Sequence, residues 1–587
     1  MEYLVFALAM AGFVVVIFVM EIFRAQKKKK EFIRYLYEDY ERIIEKEYAL
    51  ERFERMGSFY KKHPLEGQLD DITWNDLGMN ELFKRMNYTL SASGEEYLYY
   101  VLRTLRQDAG ELEHLEEVIG FIAEHPDERV NIQFAISKLG YTGKYSLYDY
   151  LDNLELLGDR SSRRHILQDL LFLPLIGLLW VEFSLGILGI VILIIYNIFT
   201  YFREKGEIDP YITSFSYIMR LMHTCGELEK CGVPVCGEEW KTLRNARKQL
   251  HGMKQNSYWV MSPQRGNSSG DILSVFLDYI RMVFHADLIK FNSMLKVLRG
   301  HIKDVDDMIG VVGYLETAIS IWAFRESLTA ADSQSEESSD DKVSDKKTSS
   351  AGEIGAWCVP EFLLCKEGLS LTIEEGYHPI LTHPVKNGIA VHRGVLLTGS
   401  NASGKSTFLK TVAINTILAQ TIHTCAAGSY RAPFFHVYSS MALRDDISSG
   451  ESYYIVEIKA LKRILDAAAG VKVPVLCFVD EVLRGTNTVE RIAASTQILK
   501  SLSQTGILCF AATHDIELTE LLQEDYDNYH FEEDVRDGDV FFNYKLKQGK
   551  ASTRNAIKLL ELMGYDRDII EKASRQAERF VTEGTWS

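Results

Sequence analysis

The sequence predicts an α/β domain at the C-terminal end, preceded by an all-α region that contains membrane-spanning helices. Three observations lead there. A glycine-rich turn, Gly399-Ser400-Asn401-Ala402-Ser403-Gly404-Lys405-Ser406-Thr407, lies between the apolar run Val395-Leu396-Leu397 and a helix-like stretch over residues 408–420. Two more buried-strand runs follow it, Val475-Leu476-Cys477-Phe478-Val479 and residues 507–512, and each ends in polar groups. Two long apolar stretches, residues 3–23 and 166–202, carry basic flanks.

From the N-terminus, residues 3–23 are apolar except for Glu21, and Arg24 with Lys27-Lys28-Lys29-Lys30 follows at once. About 20 residues of helix cover a ~30 Å hydrocarbon core. A cleavable leader puts its basic residues first, so residues 1–24 read as an uncleaved anchor with its C-terminal side in the cytoplasm. Residues 25–69 form a charged juxtamembrane segment. Within it, 27–62 holds no Gly or Pro until Gly57 and reads as one long helix. Residues 70–165 are helical in character, with Ser91 or Ser93 placed to cap a helix that has Glu95-Glu96 in its first turn.

Residues 166–202 have basic residues on both sides, which puts both ends in the cytoplasm and requires an even number of crossings. One helix over 170–199 would be about 45 Å long, beyond a ~30 Å core. It would also set Glu182 near mid-membrane, costing about 3 kcal/mol. A transmembrane hairpin turning at Glu182-Phe183-Ser184 avoids both. Residues 203–330 are again helical, with sustained periodicity over 271–325. Residues 331–352 are polar, serine-rich and without aromatics, which predicts a disordered linker. The α/β domain occupies 353–587.

The chain has 587 residues and a net charge of −17, so its average field does not favour nucleic acid and any such contact must be local. Cys225, Cys231 and Cys236 cluster near His223 without a C-x-x-C pair, which favours ordinary reduced thiols over a metal site.

The glycine-rich turn has the spacing G-x-x-x-x-G-K-[ST] of a phosphate-binding loop. Its glycines let backbone N–H groups converge on phosphate oxygens, and the helix start adds its positive dipole end. Residues 399–407 are therefore the candidate ATP-binding residues. Lys405 can reach the β- and γ-phosphates, and the Ser406 hydroxyl can ligate Mg²⁺. Asp480, at the carboxyl end of a strand, is the second metal-side group. Glu481 is the candidate general base, and His514, behind the third strand, can sense the γ-phosphate or the attacking water.

Four blocks resemble the MutS family of DNA mismatch-repair ATPases. They are Thr398 to Lys410 around the loop, Asp445-Asp446-Ile447-Ser448-Ser449-Gly450-Glu451-Ser452, Asp480-Glu481-Val482-Leu483-Arg484-Gly485-Thr486-Asn487-Thr488, and Ala512-Thr513-His514-Asp515-Ile516-Glu517-Leu518. Glu375-Gly376-Tyr377-His378-Pro379 and Tyr544-Lys545-Leu546 before Gly549 agree with the family's flanking pieces. The resemblance implies an α/β P-loop NTPase of the ABC/MutS type behind an all-α lever domain (70–165 and 203–330). It implies ATP with Mg²⁺, a homodimer with composite sites, and Ser452 reaching the γ-phosphate of the partner. The family usually has Arg-Ser-Thr after the glycine, whereas this chain has Glu451-Ser452-Tyr453, which sets a carboxylate beside that phosphate. Phe59-Tyr60-Lys61 is only a fragment of the family's DNA wedge sequence, and the mismatch-recognition domain is expected to be lacking.

Two function classes stay open. One is a multi-pass cell-membrane ATPase, its catalytic domain in the cytoplasm, that couples ATP to DNA binding in the manner of mismatch repair. The other is an ATP-driven membrane motor or scaffold acting on a protein partner without DNA. Lys290, Lys296, Arg299 and Lys303 are the basic positions that phosphates could use. Asp304, Asp306 and Asp307 lie alongside them.

Overall fold

The computed structural model describes the chain apart from residues 1, 39–45, 47, 143–144, 256–259, 261–271, 338–355, 365–367, 401–402, 442–452, 471, 484–486, 505, 537–538, 552–556, 558–559, 561–563 and 584–587. The N-terminal helices are α1 (Glu2–Glu38), α2 (Leu50–Lys62), α3 (Asp71–Asp76), α4 (Met79–Met86), α5 (Ala92–Arg103), α6 (Ala109–Glu124), α7 (Pro126–Ser137) and α8 (Leu147–Asp152). Then come α9 (Arg163–Leu170), α10 (Phe172–Leu178), α11 (Phe183–Cys231), α12 (Gly237–Gln249), α13 (His251–Lys254), α14 (Ile272–Phe284), α15 (Ala286–Gly300) and α16 (Ile302–Glu337). The C-terminal part holds β1 (Glu361–Phe362), β2 (Leu371–Gly376), β3 (Asn387–Val391), β4 (Gly394–Thr398), α17 (Lys405–Ile422), β5 (Ser429–Ala432), β6 (His436–Ser440) and α18 (Tyr453–Ala468). It closes with β7 (Val475–Asp480), α19 (Thr488–Ser501), β8 (Ile507–Ala512), α20 (Leu518–Leu521), β9 (Tyr526–Arg536), β10 (Asp539–Gln548) and α21 (Arg567–Glu583). Two compact units result. One contains Met1–Pro64, Asn87–Tyr100 and Glu117–Ala323, the other Leu65–Met86, Val101–Glu116 and Phe324–Ser587.

In the helical unit, α5 packs against α16 where glycines permit it. A Cβ at Gly313 would lie 2.3 Å from the Tyr97 Cβ, and one at Gly94 would lie 2.0 Å from a Glu316 carboxylate oxygen. Ser91 caps α5, its hydroxyl accepting from the Gly94 N–H at 3.0 Å. Glu316 in turn accepts from the Leu90 N–H, from the Ser91 N–H at 3.0 Å and from the Ser91 hydroxyl at 2.6 Å. Burial pushes the Glu316 carboxyl up to about 7, against those donors, and pushes Glu96, bonded to the Ser146 hydroxyl at 2.9 Å, up to about 8. Phe59 lies in this core, stacked on His63 and edge-on to Tyr97, Tyr100 and Tyr148, so it is not an exposed wedge.

The single helix expected over 27–62 is instead divided. α1 is described as far as Glu38; Lys46, Tyr48 and Ala49 are outside any helix, and α2 begins at Leu50. Lys46 lies between them, outside either helix, because its ammonium is drawn inward to Asn87 Oδ1 at 3.1 Å and the Thr89 carbonyl at 2.7 Å. The periodic stretch 271–325 is likewise interrupted at His285 (φ 48°) and His301. The His285 ring is buried and bonded to Thr200 at 3.2 Å and the Asn197 carbonyl at 3.1 Å, which holds the break. α16 runs on to Glu337, seven residues into the expected linker, where Ala331, Gln334, Glu336 and Glu337 favour helix. The rest of that linker lies outside the described residues.

The chain reverses at residues 179–182. α10 lies against the first turns of α11 so closely that a Cβ at Gly186 would meet the Leu179 amide nitrogen at 2.9 Å. Trp180, Val181 and Phe183 at the reversal are 90%, 79% and 66% exposed. Cys225, Cys231 and Cys236 are free thiols, and among the described residues no His, Cys, Asp and Glu form a metal-holding group.

The second unit is built on a six-stranded sheet of order β10-β9-β4-β8-β7-β6, parallel except for the β9–β10 pair. β4, β7 and β8 are buried on both faces, which is why they read as unbroken apolar runs. A smaller sheet has the order β1-β5-β2-β3. Segments from the N-terminal half join this unit. The edge strand β6 is covered by α3: the Ser439 N–H donates to Thr73 Oγ1 at 3.1 Å and its hydroxyl to Asp76 at 2.7 Å. Arg325, in the C-terminal half of α16, forms a bidentate pair with Glu116 (2.7 Å to each oxygen) and reaches the Thr424 hydroxyl at 2.9 Å and the His423 carbonyl at 3.0 Å, just past α17. Burial alone would raise the Glu116 carboxyl, but Arg325 and His423 hold it near about 2.

Candidate functional site

Three parallel strands end side by side, β4 next to β8 and β8 next to β7. This adjacency turns polar residues far apart in sequence into one site. After β4 the chain turns through Gly399 (φ 145°) and Gly404 (φ 109°) into α17. Neither position tolerates a side chain. A Cβ on Gly399 would meet the Phe531 carbonyl oxygen at 2.8 Å, and one on Gly404 the Tyr544 ring at 3.2 Å. Lys405 is buried, its ammonium donating to the Gly399 and Ser400 carbonyls at 2.8 Å each. Ser403 is 2% exposed, and its buried hydroxyl has no hydrogen-bond partner among the described residues. The Ser400 hydroxyl donates to Glu533 of β9 at 2.6 Å.

The Ser406 hydroxyl, in the first turn of α17, donates to Asp480 Oδ2 at 2.5 Å. Glu481 follows β7 with φ 59° and approaches His514, behind β8, at 2.9 Å. Leu483 also has φ 59°. Two non-glycine residues in the left-handed region within three positions cost about 1–3 kcal/mol each. The neighbouring contacts that hold this turn include the Glu481 N–H on the Ala512 carbonyl at 2.9 Å. Thr407 lies exposed beside the loop. Asn401, Ala402 and Ser452 fall outside the described residues.

A cavity of about 430 Å³ opens at the loop, lined among others by Lys405, Ser406, Glu481, His378, Phe531 and Tyr544. Burial, with Lys410 nearby, lowers His378 to about 4, so its ring is neutral at physiological pH. Tyr544 reaches the cavity because the β9–β10 register slips between Phe542 and Leu546 and Tyr544 itself takes φ 51°. Sequence reading assigned no site role to Tyr544, Phe531 or Glu533. Strand periodicity carries no sign of the bulge that brings Tyr544 to the cavity.

The residues present fit a phosphate chain with Mg²⁺. The glycine cradle leaves backbone room only, Ser403 offers a hydroxyl unpaired among the described residues, Lys405 offers a cation, and Ser406 with Asp480 makes a hard oxygen pair for the metal. Glu481 with His514 can accept and relay a proton next to them.

Residues 395–581 match the family model described as MutS domain V. Over 211 residues the chain is 31% identical to the DNA mismatch repair protein MutS of Thermus thermophilus, a match covering 35% of this chain and 26% of that protein. The similar protein from Aquifex pyrophilus is 32% identical over 233 residues, 37% of this chain and 26% of its own. That of Thermus aquaticus is 30% identical over 211 residues, with coverage of 35% and 26%. The chain spans about a quarter of the length of these relatives.

Proposed function

Because this chain is a MutS-family protein, carrying the family's domain V at its C-terminal end, we propose that it is a membrane-attached MutS-like ATPase related to mismatch repair. In this reading it hydrolyses ATP at sites completed by a second copy. The observation that carries the reading is the convergence of Lys405, the Ser406–Asp480 pair and the Glu481–His514 pair at three adjacent strand ends beside one cavity. Backbone amides of the loop and the start of α17 bind the phosphates. Lys405 exchanges its two carbonyl partners for phosphate oxygens. Ser406 and Asp480 would hold Mg²⁺, which would offset phosphate charge. Glu481, oriented by His514, takes a proton from the attacking water, and Phe531 and Tyr544 offer faces to the base.

Glu481→Gln is expected to keep ATP binding and to slow hydrolysis about 100-fold. Lys405→Ala is expected to weaken binding itself. Undiminished turnover in Glu481→Gln overturns the assignment. For the composite site, mixing Lys405→Ala chains with Ser452→Ala chains is expected to restore part of the activity, since a heterodimer then carries one intact site. No rescue despite proven heterodimers counts against it.

Membrane attachment through residues 166–202 is supported by the apolar side chains that α9, α10 and the start of α11 leave exposed, and attachment through residues 1–24, with the ATPase domain in the cytoplasm, by the apolar run and the basic residues that follow it. Kinship supports DNA as the partner. A second reading, a motor acting on a protein partner, is favoured by two basic positions that are already engaged. Lys290 donates to the Gly252 carbonyl at 3.3 Å, and Arg299 to the Leu154 and Gly158 carbonyls at 2.7 and 2.9 Å. A DNA titration of the full chain in detergent at several salt concentrations separates the readings. Affinity that falls steeply with salt supports DNA, and no binding at low salt supports the protein partner.

A further inference from the structure

Glu457 lies on the first turns of α18, 26 residues before Leu483 in sequence, and is 2% exposed. Its carboxylate accepts the backbone N–H of Leu483. That amide belongs to the turn with two left-handed non-glycine residues, Glu481 and Leu483. Among the described residues the turn is tied at its entry, middle and exit. Its entry is held by the Glu481 N–H on Ala512, its middle by the Ser495 hydroxyl on the Val482 carbonyl at 3.3 Å, and its exit by Glu457. Val482 and Leu483 are themselves buried. A turn with this backbone relaxes unless its surroundings over-determine it. A buried carboxylate is retained against its desolvation cost when it receives a charge-assisted N–H donor.

We propose that Glu457 is a positioning residue for hydrolysis, acting through Leu483 to keep the Glu481 carboxylate on His514 and over the phosphate loop. The inference rests on the proposed ATPase reading and deepens it. Removing the acceptor frees the Leu483 N–H, lets the left-handed turn relax, and swings Glu481 away from its 2.9 Å approach to His514. α18 begins at Tyr453, the residue after Ser452, so any movement of α18 is passed by the same carboxylate to the general base.

The test uses the full chain in detergent, with steady-state ATP hydrolysis, equilibrium binding of a fluorescent ATP analogue, and amide hydrogen exchange at the peptide containing Leu483. Glu457→Ala is expected to lower kcat at least ten-fold, to leave nucleotide affinity within about two-fold, and to speed exchange at Leu483. Glu457→Gln, whose amide oxygen still accepts the N–H, is expected to retain most of the activity and the protection. Glu457→Asp, one methylene shorter, is expected to behave like Ala while staying folded. A Glu457→Ala chain with wild-type kcat per folded molecule overturns the proposal, as does unchanged exchange or a Gln variant as impaired as Ala. If wild-type protein shows no turnover, the ATPase reading fails, while exchange at Leu483 in wild type against Glu457→Ala still judges the link.

Discussion

The helices Phe183–Cys231 and Ile302–Ala330 are both long and apolar enough to cross a membrane, yet their surroundings differ sharply. The most apolar 18-residue window of Ile302–Ala330 is 83% buried, whereas that of Phe183–Cys231 is 22% buried. In the former, Leu315, Ile319, Ile321 and Phe324 are enclosed, and Gly313 lets Tyr97 close in. In the latter, Leu185, Leu188, Ile192, Ile195 and Phe199 are 56–68% exposed, and Ile187, Val191 and Tyr196 widen the apolar surface beyond a single helix seam. A narrow stripe suits a partner helix, and a broad one suits lipid. Hydropathy measures composition only, and packing partners decide which helix becomes core.

The largest expected effect breaks the α11 side of this contrast. With Glu182→Cys as reporter, a membrane hairpin predicts labelling from outside, while Arg160→Cys and Gly206→Cys label only from the cytoplasm. Adding Leu188→Lys and Ile192→Lys, at about 3 kcal/mol each near mid-membrane, should abolish outside labelling. If position 182 remains reachable from outside in the double-lysine chain, the hairpin does not insert through these residues. On the α16 side, Leu315→Ala should destabilise the helical unit by about 2–5 kcal/mol, read by denaturant melting. Leu188→Ala should stay within about 0.5 kcal/mol. Equal effects would mean that the two helices share one environment.

Smaller effects sharpen the comparison. Gly186→Ala should loosen the α10–α11 contact by about 1–3 kcal/mol, since its Cβ meets backbone. Gly189→Ala should cost less, because there the Cβ meets only the end of Leu175. Limited proteolysis at residues 179–182 should rank them in that order. The smallest effect is one of pH. α16 carries Glu316, raised by burial to about 7, with Glu96 raised to about 8. Above pH 5 an unfolded chain has released both protons while the folded chain still holds them. Stability therefore falls as pH rises towards 8. Lys46, lowered by burial to about 8, starts to lose its proton in the folded state at the top of that window while an unfolded chain keeps it, so it offsets part of the fall caused by the two carboxyls. Melting of the helical unit should occur a few degrees lower at pH 8.5 than at pH 6, and Glu316→Gln should flatten that difference. A melting point that rises between those pH values would reverse the assignment.

The strand–turn–helix at 394–422 and the acidic end of β7 were legible in the sequence because their determinants are local. Glycines, a lysine and a hydroxyl stand at fixed short spacings, and strands buried on both faces cannot avoid being apolar. Sequence thus determined which residues were candidates for phosphate and metal, and which segments were apolar enough to leave water. It could not place the division of 27–62, since Lys46 leaves the helix for Asn87 and Thr89, partners more than 40 residues away. Nor could it assign residues 65–86 and 101–116 to the second unit, where Asp76 meets Ser439 across 363 positions. Tyr544 in the cavity and Glu457 under Leu483 belong to the same class. A periodic pattern records only which face of an element is apolar. Where a bulge re-aims one ring, or where a carboxylate finds an amide on another element, the choice depends on the three-dimensional neighbours, and only the tertiary structure decided it.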